Sequence, residues 1–231
     1  MTYAQQSTMD PTGDELEAFV AEMSAVLQAN NGLDVYKKDS FHGKLVLFDF
    51  RSHLYAPLIC LEKSNLKIQL SPVALNTDEM RFVDYLKAYV DNHAAELVDK
   101  SLYLLRNKSK VGMGFFEAGN FYPDYILWID TPETQYISFI DPKGLMHIRP
   151  DDPKIEFYKT IKDLETRLSP TADGKRIVLN SFIMAGTRAS DLRMWWSTPE
   201  VDADRAYREA RNVYTLDNDE CVESMMRKIL Q

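Results

Sequence analysis

The chain has 231 residues, of which 45% are hydrophobic and 27% are charged, a composition that is ordinary for a soluble globular protein. Its formal net charge is −8, from 27 basic and 35 acidic residues. Because affinity for phosphate comes mainly from lysine and arginine, this balance argues against strong, indiscriminate nucleic-acid binding by the isolated chain. It leaves room for an enzyme whose basic residues cluster, or whose grip on a nucleic acid comes from a partner.

Sequence features that bear on location favour the cytoplasm. No apolar run approaches the ~20 residues that a membrane span needs, and the polar first residues contain no signal-peptide core. Cys60 and Cys221 lie far apart in apolar contexts. They predict two buried thiols in a reducing compartment rather than a disulfide. We therefore expect a cytoplasmic protein that does not contact a membrane.

The first third of the chain reads as a helix followed by strands. Residues 1–13 are small and polar, which predicts a disordered lead-in. Apolar residues at helical spacing predict a helix from Asp14 to Ala29. Three β-prone runs predict strands from Lys44 to Phe50, from Tyr55 to Leu61 and from Leu66 to Leu70. None of these segments carries a chemical motif.

A long helix is predicted to open at residues 76–79, with Thr77 or Asp78 as its N-cap. An apolar stripe follows at helical spacing, formed by Phe82, Val83, Leu86, Tyr89 and Val90. Glu79 lies in the first turn, where the helix dipole already favours an anion. Beyond the helix comes a basic segment that reads either as a solvated loop or as a phosphate-contacting patch; its basic residues are Lys100, Arg106, Lys108 and Lys110.

The centre of the sequence predicts a β-hairpin with charged residues at one end. Asp124 precedes the run 125–129, and the run 136–140 leads into Asp141 and Lys143. The polar link between the runs suits a turn. An antiparallel pair would bring Asp124 beside Asp141, and Asp141 and Lys143 would share a face because side chains alternate. Two carboxylates and an ammonium at a strand end can bind a hard cation and activate water.

The elements around the hairpin predict an α/β fold with a mixed sheet. A strand at Val111–Phe116 precedes the hairpin, and a helix from Pro153 to Leu168 and a strand at Arg176–Met184 follow it. The order from Glu79 onward is therefore helix, three strands, helix, strand. The last part of the chain predicts a helix, a short strand and an amphipathic helix, at 199–212, 213–216 and 219–230.

Two aromatic features have structural and functional readings. Trp195 and Trp196 are expected to pack in the protein rather than to stack on bases. His147 lies four residues beyond Lys143. A surface histidine is the favoured interpretation, and a contact with phosphate is the alternative.

The charged residues of the hairpin form a recognisable pattern. Pro123-Asp124 and Asp141-Pro142-Lys143, preceded by an acid on a helix, resemble the motif of the PD-(D/E)xK nuclease superfamily; Asp124 and Asp141 are 17 positions apart. The predicted helix–three strands–helix–strand order matches the restriction-endonuclease-like core that this resemblance implies. A site of this type needs no histidine as a base, because a bound metal lowers the pKa of its water ligand.

A closer resemblance covers roughly residues 45–190 and concerns the C-terminal nuclease region of helicases of the type III restriction enzyme kind. The matching segments are Pro72–Asn76, Glu79, Arg81–Val83, Gly114–Asp124, Trp128, Phe139–Gly144 and Lys154–Lys159. The resemblance implies Mg²⁺-dependent cleavage of DNA, with Mn²⁺ as an alternative ion, in restriction or defence against phage. Those proteins carry a motor, but this sequence has no G-x-x-x-x-G-K-[ST] loop. A helicase or ATPase would therefore be a separate domain or subunit, and the chain a module, a subunit or a fragment.

The resemblance also implies residue roles. Asp124 and Asp141 would ligate the ion, with the carbonyl of Pro142 as a further ligand. Glu79 would ligate directly, hold a water molecule or help to bind a second ion. Lys143 would orient the attacking water or stabilise charge at the phosphorus.

Several positions have open alternatives. Glu117, at the end of the predicted first strand, rivals Glu79 as the third acid and could replace or supplement it. The candidate phosphate contacts are Lys108, Lys110, Lys159 and Lys162. Lys108 and Lys110 could equally lie in a solvated loop, and for Lys159 and Lys162 a solvated helix face is the favoured interpretation.

The resemblance divides the chain into a lead-in at 1–13, an N-terminal helix and strands packed on the core at 14–76, and a nuclease domain at 77–231. The competing hypothesis is a non-catalytic subunit with a nuclease fold, serving assembly or DNA docking. A degenerate member would usually lose Asp141 or Lys143, and both are present. RNA is an alternative substrate, and the sequence leaves oligomerisation open.

Overall fold

The computed structural model describes residues 75–107, 112–115 and 118–231 with their side chains, and the backbone of short strands before them. Those strands are β1 (Ala4–Ser7), β2 (Val35–Ser40), β3 (Gly43–Phe48), β4 (His53–Tyr55), β5 (Leu58–Leu61) and β6 (Ile68–Leu70). The predicted strands at 44–50, 55–61 and 66–70 coincide with β3, β5 and β6. The predicted helix from Asp14 to Ala29 lies outside the described residues.

The remainder of the chain alternates between helices and strands. Its elements are α1 (Thr77–Asn92), β7 (Ser101–Arg106), β8 (Tyr125–Asp130), β9 (Thr134–Lys143), α2 (Pro153–Glu165), β10 (Arg176–Ala185), α3 (Ala189–Trp196), α4 (Arg205–Glu209), β11 (Val213–Thr215) and α5 (Glu220–Ile229). From α1 to β10 the order is helix, three strands, helix, strand. The predicted α/β class with a mixed sheet is confirmed.

The main sheet has six strands in the order β11-β10-β9-β8-β7-β4. Strands β9, β10 and β11 are parallel, β7 and β8 form an antiparallel meander with β9, and β4 runs parallel to β7. The other early strands form an antiparallel β2-β3-β5 sheet and an antiparallel β1-β6 pair. The segment predicted as a disordered lead-in thus contains a paired strand, because strand pairing uses backbone groups that polar residues also have.

The first strand of the main sheet is not where the sequence predicted it. The strand that pairs with β8 is Ser101–Arg106, whereas the described residues of the predicted Val111–Phe116 strand, 112–115, form only one bridge, between Phe115 and Phe121. Gly114 helps to explain the difference, because glycine weakens a strand interior. A Cβ at Gly114 would lie 2.3 Å from the Tyr122 ring, so this segment is a loop folded closely on itself.

Two apolar layers enclose the sheet. Phe82, Val83 and Leu86 of α1 are fully buried against one face, together with α5. Helices α2 and α3 cover the other face through residues such as Ile161 and Leu192. Each fully buried side chain of this size contributes about 1.5–3 kcal/mol. The layers fix β8 and β9 at the centre of the sheet, and with them the ends that carry the charged residues.

The C-terminal helices are shorter than predicted. The segment predicted as one helix at 199–212 begins with a bridge between Thr198 and Val201, and α4 starts only after Asp204, whose side chain accepts from Tyr207 N–H at 2.8 Å. Cys221 is a buried free thiol, as predicted. Among the helices in the described part of the chain, none combines the length and the apolar character that crossing a membrane requires.

Candidate active site

The register of β8 and β9 brings two acidic residues together. Tyr125 lies opposite Ile140, so the next pair outward consists of Asp124 and Asp141. The β7–β8 ladder continues one step further at the same end, because Asn107 N–H donates to Asp124 O at 2.7 Å. The prediction that Asp124 and Asp141 meet at one end of the hairpin is confirmed.

The two carboxyl groups are poorly solvated. Asp141 is only 4% exposed, with Ile183 of β10 as its neighbour across the parallel ladder. Burial raises the pKa of Asp124 to about 8, and the charges of Asp141 and Glu79 and a hydrogen bond with the Asp141 carboxyl add to the rise. Lys143 partly offsets it. In the absence of a cation, Asp124 therefore holds a proton at neutral pH.

Lys143 supplies the positive charge next to these acids. Its ammonium forms an ion pair with Asp141 Oδ2 and lies 5.6 Å from the centre of the Phe121 ring. One ammonium thus faces two acids.

Glu79 closes a capping box at the start of α1. The Asn76 side chain accepts from Asp78 N–H and Glu79 N–H, both at 2.9 Å, and Glu79 Oε2 accepts from Asn76 N–H at 3.1 Å. The N-cap is therefore Asn76, rather than Thr77 or Asp78, because its side-chain oxygen reaches the free amides of the first turn. The carboxylate of Glu79 therefore caps α1 and also lies near enough to Asp124 to affect its pKa.

Arg106, at the end of β7, pairs with Glu79. The distance from its guanidinium to Glu79 Oε2 is 3.3 Å, and the two side chains are 12% and 13% exposed. Sequence analysis placed Arg106 only in a basic segment and did not find this pairing. In the region with described side chains, no group of three acidic, histidine or cysteine residues is arranged to hold a metal ion. The converging unit is the pair Asp124 and Asp141.

These residues line an open cleft of about 500 Å³. It is formed by Asn76, Thr77, Asp78, Glu79, Asp124, Asp141, Pro142, Lys143 and Gly144. Asp78 packs directly on Gly186, where a Cβ would lie 2.0 Å from Asp78 Oδ2, and Gly186 N–H donates to Lys143 O at 3.0 Å. A side chain at position 186 would have to displace the Asp78 carboxylate. Sequence analysis gave Asp78 no site role, although two consecutive acids in a first helical turn were a usable signal.

Asn107 anchors the loop that carries Asp124. Its amide donates to Met113 O at 2.7 Å and to Pro123 O at 2.8 Å, and its oxygen accepts from Met113 N–H at 3.0 Å. Between these anchors the chain turns through Gly119 and Asn120, with φ of 67° and 58°. Nothing in the sequence singled out Asn107, because one polar residue after a strand has no distinguishing pattern.

Pro142 lies in β9 without a bulge, one residue before the end of the strand. The β9–β10 register runs unbroken through Met184 opposite Pro142 and Ala185 opposite Lys143. Because β8 begins opposite Ile140, Pro142 has a neighbouring strand on the β10 side only. Its other side is an unpaired edge, and a missing N–H is tolerated at such an edge. Pro142 lines the cleft, so its carbonyl stays a candidate ligand.

The remaining candidates are not in the described cleft. Glu117, Lys108 and Lys110 lie outside the described residues. Lys159 forms an ion pair with Glu156 on the same helix. Lys162 donates to Leu179 O at 2.6 Å and so ties α2 to β10. Neither of these two lysines lines the cleft.

The chemistry of the cleft fits a hard divalent cation. Carboxylate oxygens are the ligands that Mg²⁺ and Mn²⁺ prefer. Asp124 and Asp141 present such oxygens side by side, and Asp124 carries a proton that a cation could replace.

Comparisons with known proteins reveal no relative: no protein-family model matches the chain, and no curated protein or solved structure is significantly similar to it.

Proposed function

We propose that this chain is a nuclease of the PD-(D/E)xK type that hydrolyses DNA phosphodiester bonds with Mg²⁺ or Mn²⁺. The observation that carries the proposal is the pairing of Asp124 with Asp141 beside Lys143 at the floor of an open cleft. The helix–three strands–helix–strand order around the cleft agrees with a restriction-endonuclease-like core.

The residues of the cleft divide the work of hydrolysis. Asp124 and Asp141 would hold the cation, with Asp124 in its deprotonated form. A bound ion would supply positive charge at the phosphate and lower the pKa of a water molecule. Lys143, held close to Asp141, donates to a phosphoryl oxygen and stabilises the charge that develops there. A fixed donor of this kind needs no reorganisation during the reaction.

Glu79 and Arg106 act at the mouth of the cleft. Glu79 is close enough to raise the pKa of Asp124, and its own charge is balanced by Arg106. We assign Glu79 to the positioning of the attacking water, through the oxygen atoms that face the cleft. Arg106 keeps the Glu79 carboxylate in place while α1 and β7 fix the two residues.

The charge of the cleft indicates how DNA would reach it. Four acidic side chains and one basic side chain line it, so a polyanionic strand is repelled unless a cation is bound. A partner that itself binds DNA would overcome this repulsion. We therefore propose that the chain works with a helicase or ATPase that supplies this affinity. The resemblance over residues 45–190 supports a cytoplasmic role in restriction or defence against phage.

A cleavage assay with matched variants tests the function. Plasmid DNA, linear duplex DNA and labelled RNA are incubated with the purified chain in Mg²⁺, in Mn²⁺ and in EDTA. We expect metal-dependent DNA cutting by the wild type and by Asp130→Asn, at the other end of β8, and none by Asp141→Asn. Equal cutting by all three proteins contradicts the site. No cutting by any favours the non-catalytic docking subunit, and cutting of RNA alone changes the substrate.

A further inference from the structure

An exposed tryptophan lies near the end of α3. Trp195, on α3, is 47% exposed, whereas its neighbour Trp196 is 2% exposed and donates its indole N–H to Ile148 O at 2.8 Å. Trp196 therefore packs as the sequence predicted, and it fastens α3 to the loop that follows β9. The indole of Trp195 remains at the surface, although burying it would have stabilised the fold.

His147 contacts Trp195 from that loop. The two ring centres are 5.6 Å apart and the rings are perpendicular, at 89°. His147 occupies the third position of a tight turn closed by Ile148 N–H donating to Leu145 O at 3.1 Å, and its φ is +72°. This is the glycine position of a type II turn. A strained backbone that displays a ring on the surface points to a role outside folding.

The aromatic pair, His147 and Trp195, is close to the cleft. Lys143 and Gly144 line the cleft, and Leu145 is fully buried with its N–H donating to Thr187 Oγ1 at 2.8 Å. His147 is three positions after Gly144, which bounds their Cα–Cα distance at about 11 Å. A nucleic-acid strand rises about 3.4 Å per nucleotide, so this distance is a few nucleotides at most.

The charge of the cleft indicates what this pair could bind. With four acids and one lysine along the cleft, the strand cannot be gripped there through lysine–phosphate pairs alone. Stacking of a base on an aromatic ring needs no charge, and every base has a face that can stack. A base can reach a surface ring only when it is unpaired, because paired bases in a duplex stack on one another.

We propose that the aromatic pair stacks against an unpaired nucleobase of the substrate strand beside the cleft. The inference rests on the proposed nuclease function and names its substrate class: a nucleic acid with a single-stranded segment at the cut, such as a free strand, a gap or a flap. Trp195 provides the stacking surface, and His147 holds the indole edge-on from the turn. An uninterrupted duplex does not engage the pair.

A binding measurement tests the pair directly. Fluorescence anisotropy measures the binding of a single-stranded DNA oligonucleotide and of a blunt duplex of the same sequence. The measurement is made in Mg²⁺, and every protein also carries Asp141→Asn, which prevents cutting. We expect Trp195→Ala to weaken single-strand binding about tenfold, within the range for loss of one stacked base, and to leave duplex binding unchanged. Leu168→Ala is the control, since Leu168 is similarly exposed, at 45%, and lies beyond the far end of α2.

The salt dependence separates stacking from charge. Because stacking releases no counterions, Trp195→Ala should shift the line of log affinity against log salt without changing its slope. His147→Gly removes the second ring at a backbone position that suits glycine, so this variant should fold at least as well and bind the single strand more weakly. Its melting temperature shows that the loss is not unfolding.

Several outcomes overturn the inference. It is wrong if Trp195→Ala and His147→Gly bind the single strand like the parent, if they weaken duplex binding equally, or if they change only the oligomeric state. If the wild type cuts DNA and these variants bind it normally, the nuclease function stands without the aromatic pair. If the wild type cuts nothing but single-strand binding depends on Trp195, the pair stands and the nuclease function fails.

Discussion

The two ends of β8 carry the same type of residue in opposite surroundings. At the far end, Asp130 pairs with Lys175 at 2.6 Å, and this hydrogen bond raises the pKa of the lysine. At the cleft end, Asp124 faces Asp141, and burial together with that second acid raises the pKa of Asp124. Asp130 has a counter-charge of its own, whereas Asp124 shares one ammonium, that of Lys143, with Asp141.

The two ends of β8 differ in what their charged residues contribute to stability. A solvated pair such as Asp130 with Lys175 is a usual way to finish a strand, and it contributes little to stability. Two buried acids side by side destabilise the folded chain unless a proton or a cation separates them. Strongly perturbed groups in a cleft are typical of functional sites. The perturbed acids therefore favour the cleft end of β8 as the site that we propose for the reaction.

The largest expected effect contrasts the two lysines. Lys143→Ala should lower the rate constant of DNA cleavage by about 10²–10³-fold, because it removes a fixed donor to the charge that develops at the phosphorus. Lys175→Ala, at the far end, should leave the rate constant unchanged. Single-turnover cleavage in saturating Mg²⁺ measures both. A Lys143→Ala protein that cuts at the wild-type rate would remove this residue from the mechanism.

The next effect concerns pH and the free energy of unfolding without metal. The folded pKa of Asp124, about 8, exceeds its ordinary value of 3.8, so the folded chain binds more protons between these values. Stability due to this group is complete below pH ~4 and is lost as pH rises through ~8. The loss should be on the order of a few kcal/mol. Urea unfolding in EDTA from pH 5 to pH 9 measures it.

Asp124→Asn is the matched variant for that profile. It keeps the shape of the side chain and removes the titration, so the pH profile of the free energy of unfolding should become flatter than that of the wild type. Asp130→Asn should leave the profile parallel to the wild type. If the profiles of the wild type and Asp124→Asn are parallel, the Asp124–Asp141 pair does not carry the strain that the account assigns to it.

Sequence reasoning reached the hairpin and its charged end because both depend on local patterns. The runs that became β8 and β9 are apolar and bounded by polar residues, and the alternation of side chains then places Asp124 opposite Asp141 and on the face of Lys143. The apolar stripe of α1 was equally clear. These predictions needed only residue type and spacing.

Other features depend on tertiary contacts that no spacing encodes. The strand Ser101–Arg106 was missed in favour of Val111–Phe116, because its identity comes from pairing with β8 rather than from its own composition. The partner of Glu79 is Arg106, 27 residues away, and the glycine that receives Asp78 is Gly186. Such contacts form only when separate elements meet at the end of the sheet.

A smaller effect is expected from removing the side chains of Asn107 and Thr131, which hold the loops at the two ends of the meander. Asn107→Ala removes three side-chain hydrogen bonds from the loop before Asp124, and should cost about 1–3 kcal/mol of stability and slow cleavage. Thr131→Ala removes two from the far turn and should affect stability only. Thermal melting and single-turnover cleavage distinguish the two variants. Equal cleavage rates would show that the loop does not position Asp124.

The smallest effect concerns the third acid. Glu79→Gln keeps a side chain that can close the capping box but removes a charge that raises the pKa of Asp124. We expect that pKa to fall by a fraction of a unit, while Glu133→Gln in the far turn leaves it unchanged. Carboxyl NMR titration in EDTA measures the shift. An unchanged pKa in Glu79→Gln would place Glu79 electrostatically outside the site.

The central claim is that Asp124 and Asp141 form a cation site, and cation-linked stability tests it most directly. Melting temperatures of the wild type, Asp141→Asn and Asp130→Asn are measured at pH 7.5 against increasing Mn²⁺, since a ligand that binds the folded state alone raises the melting temperature. We predict a saturable rise for the wild type and Asp130→Asn, and none for Asp141→Asn. No rise in the wild type, or the same rise in Asp141→Asn, would contradict the account.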